Sequence, residues 1–216
     1  YRVPEENELS EILKNVDYRK ILLSEDNMIS LTEGMMADLG SVAKGYTGDK
    51  VLELFKKTGI SNALINLGGN VQTLGGKPDG SSWKVAIADP DGSSSYAGYV
   101  AVNGKTVITS GAYERFFEEN GKIYHHIIDT STGYPANNGL ISVSVIGNEG
   151  VVCDALSTSL FAMGPEKAIA FWKNSDDFEA VFITADEKIF VTEGIEKDFV
   201  PLGRFQNAVS EVIRRD

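Results

Sequence analysis

Hydrophobic residues recur at three- and four-residue spacing in several stretches of the chain, which is typical of helices that bury one face. In one stretch, Leu52 and Phe55 mark the apolar face and Gly59 follows as a stop signal. In another, Gly164 ends one helical pattern and Pro165 suits the first turn of the next. The pattern predicts helices over 4–16, 42–59, 150–164 and 165–175, and a weak helix over 205–216.

Between the helices, short runs of alternating apolar and polar residues bounded by turn residues predict β-strands. Asn103-Gly104 and Asn120-Gly121 are dipeptides that tight turns favour, so hairpins are predicted around both. The strand regions are 27–33, 61–77 with a glycine turn, 83–94 ending in a turn, 96–111, 115–129, 140–147 and a final hairpin at 179–194. Mostly antiparallel strands with a few packed helices predict an α+β fold. Without a Pro- or Ser-rich linker, a single domain is predicted over 1–216.

Composition narrows the classes of partner. The 216 residues are 42% hydrophobic and 24% charged, which suits one well-packed domain. The net charge of −11 disfavours nucleic acid, and a bound phosphate ester would need a metal cation as intermediary. Cys153 lies in an apolar run, so it is interpreted as a small buried hydrophobic residue rather than a nucleophile. No apolar run reaches the ~18 residues of a membrane span. The chain starts at Tyr1 without a leader, so we expect a processed or truncated piece.

Asp154 and Thr158 are four residues apart in a helical pattern, so they share one helix face. A carboxylate and a hydroxyl on one face can bind a hard cation such as Mg²⁺. On spacing alone, a purely structural interpretation is the more common one. Asp154 would then cap the first turn of its own helix, and Thr158 would bond back to the carbonyl four residues earlier.

Two further stretches carry candidate chemistry. The stretch "DLGSVAKGY", residues 38–46, places an acid, glycines and Lys44 before a helix; it is either an ordinary turn or an anion site at the helix start. His125 and His126 are adjacent, so in a strand they point to opposite faces and at most one serves a given site. An imidazole near a turn-rich loop suits proton transfer at neutral pH. Asp129 is either a turn residue or an orienting partner of that histidine.

Five motifs occur in order along the chain: "DLGSVAKGY", "LINLGGN", "TSGAYERFF", "YHHIIDTSTGYP" and "DALSTSLFAMG". Together they resemble the ApbE-type FAD:protein FMN transferases. The resemblance implies an α+β, T-fold-related arrangement of two barrel-like halves, with the flavin dinucleotide between them. It also implies Mg²⁺-dependent transfer of FMN from FAD to a threonine of a target protein through a phosphoester bond, with AMP leaving. The alternatives are an FAD pyrophosphatase and a catalytically inactive flavin-binding module.

The resemblance also assigns roles by position. His126 corresponds to the base that takes the proton from the threonine hydroxyl. The implied metal ligands are Asp154, Thr158 and the backbone carbonyl of Ser41, and the implied FAD contacts are Asp38, Lys44, Ile128 and Ser157. Family members commonly carry an acid where this chain has Asn70 or Ala112.

Expectations about the whole protein follow from the same resemblance. Family members are longer at the N-terminus, so the chain is expected to be roughly the C-terminal two-thirds of a member. Such proteins are usually exported as lipoproteins on the outer side of the cytoplasmic membrane. Their acceptors are redox-pump subunits or other exported flavoproteins.

Overall fold

The computed structural model describes residues 1–91, 95–208 and 210–215. Within those ranges the helices are α1 Glu6–Leu13, α2 Ala43–Lys57, α3 Gly150–Met163 and α4 Pro165–Lys173. The four strong helix predictions are therefore confirmed. No helix in the described part of the chain is long and apolar enough to span a membrane.

The strands are short and numerous. They are β1 Leu22–Leu23, β2 Ile29–Ser30, β3 Ala63–Leu67, β4 Asn70–Leu74, β5 Trp83–Ala88, β6 Tyr96–Val102, β7 Thr106–Gly111, β8 Phe116–Glu119, β9 Lys122–His125, β10 Leu140–Gly147, β11 Phe178–Thr184, β12 Ile189–Thr192, β13 Phe199–Pro201 and β14 Ser210–Ile213. Seven of them form a central sheet in the order β14-β12-β11-β10-β7-β4-β3, and β13-β6-β5 form a smaller sheet. Apart from the parallel β12–β14 pair, neighbouring strands are antiparallel. The α+β class with mostly antiparallel pairing is confirmed.

The central sheet buries both of its faces. In β11, Phe182 packs in the cluster that contains Leu160 and Trp172 of the helices, whereas Val181 packs with Val100 of the small sheet. Successive strand residues point to opposite faces, so one strand supplies both cores. The helices thus cover one face and the three-stranded sheet covers the other.

One predicted hairpin is wrong. The strands on either side of Asn103-Gly104 do not pair, because β6 pairs with β5 and β13, while β7 pairs with β10 and β4. The turn instead carries the chain from the small sheet to the central one, and the Gly104 N–H donates to the Gly75 carbonyl at 3.1 Å. Turn chemistry specifies the reversal of the chain, but the burial of each strand decides its partner.

The predicted tail helix is also wrong. Ser210–Ile213 is a strand that runs parallel to β12, and Ile213 is buried in the core beneath the helices. Pairing the edge of β12 and burying Ile213 outweigh a weak helical pattern, because tertiary packing overrides local propensity. Residues 209 and 216 of this prediction, and the turn predicted at 92–94, lie outside the described residues.

The other strand predictions hold. Gly68 and Gly69 turn β3 into β4, and Asn120 and Gly121, with φ of 52° and 73°, turn β8 into β9. The hairpin of β11 and β12 is present as well. Cys153 is 1% exposed, and burial raises the pKa of its thiol to about 12. It is a core residue, as predicted.

Candidate functional site

A polar cleft of about 420 Å³ opens where α2, α3, β7 and the loop after β9 meet. Two walls enclose it. The helix wall consists of Asp38, Gly40, Ser41, Lys44, Asn70, Thr109, Ser110, Asp154, Thr158, Ser159 and Ala162. The hairpin wall consists of Glu114, Arg115, His126, Ile127, Ile128 and Thr130.

The cleft brings together most of the residues singled out in the sequence. Those that line it are Asp38, Ser41, Lys44, His126, Ile128, Asp154 and Thr158. Ser157 does not line it, because its side chain is fully buried and bonds to Ser110 Oγ at 2.9 Å and to the Asp154 carbonyl at 3.0 Å. The roles of all these residues stay predictions; the proximity that the roles require is present for those that line the cleft, and Ser157 is separated from it by burial.

The two helices of the helix wall cap each other. Asp154 of α3 accepts a hydrogen bond from the Gly45 N–H in the first turn of α2, at 2.8 Å to Oδ2. In return, Asp49 of α2 accepts from the N–H groups of Gly150 and Val151, at 2.7 and 2.9 Å. Carboxylates at helix starts satisfy free N–H groups and complement the helix dipole. Asp154 therefore caps the neighbouring helix and not its own, which starts four residues earlier.

Glycine makes this crossing possible. A Cβ at Gly45 would lie 2.1 Å from the Gly150 carbonyl oxygen and 2.8 Å from Asp154 Cβ. The Gly45 carbonyl, in turn, accepts from Nε2 of Gln72 at 2.8 Å, and Gln72 is 1% exposed. Both backbone groups of Gly45 are thus fixed by buried side chains, which holds Asp154 in place.

Next to the hydrogen bonds that fix Gly45, the helix wall presents oxygen atoms of Asp154 and Thr158 to the cleft. With respect to the described residues, Asp154 is only 5% exposed and hydrogen-bonds through Oδ2 only, so Oδ1 stays available. The Thr158 hydroxyl lies 3.1 Å from Ser110 Oγ. The expected bond from Thr158 back along its own helix is not formed; Ser157 makes a bond of that kind instead.

This donor set suits a hard cation. It supplies a carboxylate oxygen and a hydroxyl, with the backbone of Ser41 in the same wall, and Mg²⁺ prefers such oxygen ligands. The described residues contain no group of three or more His, Cys, Asp or Glu side chains arranged to hold a metal. A cation here would therefore complete its shell with ligand oxygens and water, which is how Mg²⁺ is held at phosphate sites.

On the hairpin wall, His126 is exposed and its ring is oriented by the backbone. The ring atom Nδ1 lies 3.2 Å from the carbonyl oxygen of Arg115, and the backbone N–H of His126 donates to the same oxygen at 3.1 Å. Because a carbonyl only accepts, Nδ1 carries the proton in the neutral ring and Nε2 keeps its lone pair. His126 is thus arranged to accept a proton at Nε2.

The neighbouring histidine has a different environment. His125 packs edge-on against Phe161, with ring centroids 5.6 Å apart. Burial lowers the pKa of His125, and the nearby His126 lowers it further. Only His126 of the two lines the cleft, which agrees with the prediction that at most one serves a given site, although β9 ends at His125 and His126 follows it in a bend. Asp129 is a turn residue: its carboxylate accepts from the N–H and hydroxyl of Ser131 at 2.8 and 2.7 Å.

Glu114 and Arg115 line the cleft but had no role in the sequence analysis. Burial raises the pKa of the Glu114 carboxyl. The positive charges of Lys44, His126 and Arg115 oppose this rise, whereas the negative charge of Asp154 adds to it. The signal for both residues was available, since they lie within the quoted motif "TSGAYERFF". The cleft thus contains a balance of positive and negative groups in a chain that is strongly acidic as a whole.

A model of the ApbE family matches residues 1–182. The chain belongs to the ApbE family. Among similar ApbE family members, the FAD:protein FMN transferase of Klebsiella pneumoniae is 40% identical over 170 residues, which cover 78% of this chain and 52% of that protein. That of Treponema pallidum is 37% identical over 209 residues, covering 89% and 58%.

Solved structures agree with this assignment. The crystal structure of an ApbE protein from Thermotoga maritima superposes with a TM-score of 0.84 at 32% identity, covering 91% of this chain and 64% of that one. The chain therefore spans a little over half the length of the curated ApbE relatives that it matches.

Proposed function

We propose that this chain carries the catalytic part of a flavin transferase, which moves FMN from FAD to a threonine of a target protein and releases AMP. The observation that supports this best is the arrangement of the cleft. A histidine with a free Nε2 faces a wall that carries Asp154, Thr158 and Lys44. The names of the relatives, FAD:protein FMN transferase, support the same reaction.

Each wall would have its own task. Asp154, Thr158 and the Ser41 carbonyl would hold Mg²⁺, which when bound neutralises charge on the diphosphate of FAD. Lys44 adds a fixed positive charge to the same wall and attracts the diphosphate directly. The hydrogen bond from the Gly45 N–H holds the Asp154 carboxylate in place. The helix wall is therefore organised before the ligand arrives, and binding requires little rearrangement of its side chains.

The chemical step then involves His126. As the threonine Oγ attacks the phosphorus of the FMN half, its proton passes to Nε2 of His126. The new O–P bond forms as the P–O bond to AMP breaks, and AMP leaves with the electron pair. A positioned base improves such a hydroxyl by about 10²–10⁴-fold. Water in place of the threonine would give FMN and AMP instead.

The test uses the chain with FAD, Mg²⁺ and a threonine-containing acceptor protein. We expect FMN on the acceptor by mass spectrometry, one AMP released per FMN attached, and loss of both products when Mg²⁺ is chelated. Asp154→Asn keeps an oxygen to accept from Gly45 but removes the charge, so we expect transfer to fall at least about a hundredfold.

Asp49→Asn is the matched control, because Asp49 caps the other helix of the same crossing and does not line the cleft. It is expected to retain Mg²⁺-dependent transfer. AMP release without any labelled acceptor would support the pyrophosphatase instead. Tight FAD binding without AMP release would indicate an inactive binding module.

We also propose, from the family resemblance alone, that the whole protein acts outside the cytoplasm as a lipoprotein at the membrane, on exported flavoproteins. Fractionation of the source cells with protease treatment of intact spheroplasts tests this. Recovery of the protein in the cytoplasmic fraction, protected from protease, would contradict it.

A further inference from the structure

Asn70 is a buried polar residue whose side chain has no hydrogen-bond partner in the part of the chain that the structure describes. It is 2% exposed, begins β4 and lines the cleft. Its side chain makes no hydrogen bond with any described residue, and its Nδ2 is a buried donor without an acceptor. Buried polar side chains in native proteins are nearly always hydrogen-bonded, so an exception calls for a ligand, a water or an ion.

Gln72, two residues after Asn70, is a buried amide with a structural role and serves as a comparison. Gln72 lies on the same strand two positions later, and Nε2 of Gln72 donates to the Gly45 carbonyl at 2.8 Å. Gln72 does not line the cleft, whereas Asn70 does. An apolar side chain at position 70 would fill the same space without desolvating an amide, so packing alone does not explain the asparagine.

We propose that the amide of Asn70 donates a hydrogen bond to a phosphate oxygen of the bound dinucleotide. This rests on the proposed function, and it adds a binding residue that neither the motifs nor the metal donors supply. Lys44 and Asp154 line the same wall of the cleft as Asn70, so the amide lies in the wall that carries the groups that would hold the diphosphate. Because neither amide atom has a partner among the described residues, the amide can rotate toward the ligand without breaking a hydrogen bond to them.

The test measures the affinities of three probes by calorimetry, with and without Mg²⁺: FAD, ADP and riboflavin. We expect Asn70→Ala to weaken FAD and ADP binding about tenfold and to leave any riboflavin affinity unchanged. Asn70→Asp has the same shape but cannot donate and adds a charge, so its FAD and ADP affinities should fall most without Mg²⁺ and recover partly with it.

The control is Asn66→Ala in the same β3–β4 hairpin. Asn66 is exposed, accepts from the Gly69 N–H at 2.9 Å and does not line the cleft, so this variant should bind all three probes like the wild type. Thermal unfolding checks that every variant is folded.

Three outcomes would overturn the inference: wild-type affinity for FAD and ADP in both Asn70 variants, a loss confined to riboflavin, or a wild type that binds neither FAD nor ADP. If the wild type binds ADP but not FAD, the proposed function fails while the ADP comparison still decides the role of Asn70.

Discussion

The two walls of the cleft are built differently. On the helix wall, Asp154 is almost completely buried and is fixed by Gly45, whose other backbone group is fixed by Gln72. On the hairpin wall, His126 is exposed, and its ring is oriented by the single carbonyl of Arg115. The side chains of the helix wall are thus fixed by buried hydrogen bonds, whereas the hairpin wall presents the His126 imidazole to solvent.

This difference matches the two tasks of the proposed reaction. A charged ligand benefits from groups that are already in place, because reorganisation then costs little. An acceptor protein has to approach the base from outside, so the base cannot be buried. The comparison predicts that disrupting the helix wall weakens FAD binding, whereas removing the His126 base from the hairpin wall slows transfer and leaves FAD binding unchanged.

The largest effect is expected from His126→Gln. The glutamine amide can donate to the Arg115 carbonyl but takes no proton, so transfer should fall about 10²–10⁴-fold. FAD affinity should change less than about twofold, because the helix wall is untouched. Single-turnover kinetics and calorimetry measure the two quantities separately.

His125→Gln is the matched control for that variant. His125 contacts Phe161 and does not line the cleft, so its loss should lower stability and leave transfer near the wild-type rate. An equal loss of FAD affinity and transfer rate in His126→Gln would show that the two walls do not divide the work.

The helix wall is tested by Gly45→Ala. The added methyl meets the Gly150 carbonyl and Asp154, so we expect a loss of about 1–3 kcal/mol in the free energy of unfolding. FAD affinity in Mg²⁺ should fall with it, because the Asp154 cap is displaced. Urea unfolding and calorimetry provide the two measurements.

Gly59→Ala, just past the other end of α2, separates these effects. A Cβ there meets nothing within 4 Å, but the φ of +85° strains an alanine by roughly 1–2 kcal/mol. The stability cost is therefore similar, while FAD affinity should not change. If FAD affinity falls equally in Gly45→Ala and Gly59→Ala, the loss follows from lower stability of the fold and not from the contact between Gly45 and Asp154.

The smallest effect concerns the loop beside the hairpin wall. Two hydrogen bonds from Ser131 lower the pKa of the Asp129 carboxyl below its usual value of 3.8. The bond from the hydroxyl has the larger effect and the bond from the backbone N–H the smaller one. The ionised carboxylate therefore contributes stability above about pH 3.8 and loses it as pH falls through the folded-state pKa. Asp129→Asn keeps an oxygen that can accept from Ser131 but removes the charge, so it should lower the free energy of unfolding slightly at pH 7, and the difference should vanish at low pH. Urea unfolding at both pH values measures this.

Asp79→Asn is the control for the loop. Asp79 accepts from the hydroxyl and N–H of Ser81 in the same way, at 2.6 and 2.9 Å, away from the cleft. Both variants should lose stability that depends on pH in the same direction, but only Asp129→Asn should slow transfer, by a few-fold at most. A pH-independent loss in Asp129→Asn would contradict the role of the ionised carboxylate.

The sequence predicted the local structure where one signal was strong. Gly164 and Pro165 marked the boundary between α3 and α4, and the dipeptide at 120–121 marked a true hairpin. The similar dipeptide at 103–104 failed, because both of its strands are buried and find partners in different sheets. Local chemistry fixes where a chain turns, whereas strand pairing depends on which apolar surfaces are covered.

The resemblance of the five motifs indicated the family, the pattern of strands and helices indicated the α+β class, and helix-face spacing placed Asp154 and Thr158 on one face. The assignment of 1–216 to one domain, and the chemical roles, stay predictions. Only the tertiary structure decided that Asp154 caps the neighbouring helix and not its own, and that Asn70 is buried with no hydrogen-bond partner among the described residues. The physical reason is that spacing along a chain specifies which residues share a face, but burial and hydrogen bonding across the fold specify what that face contacts.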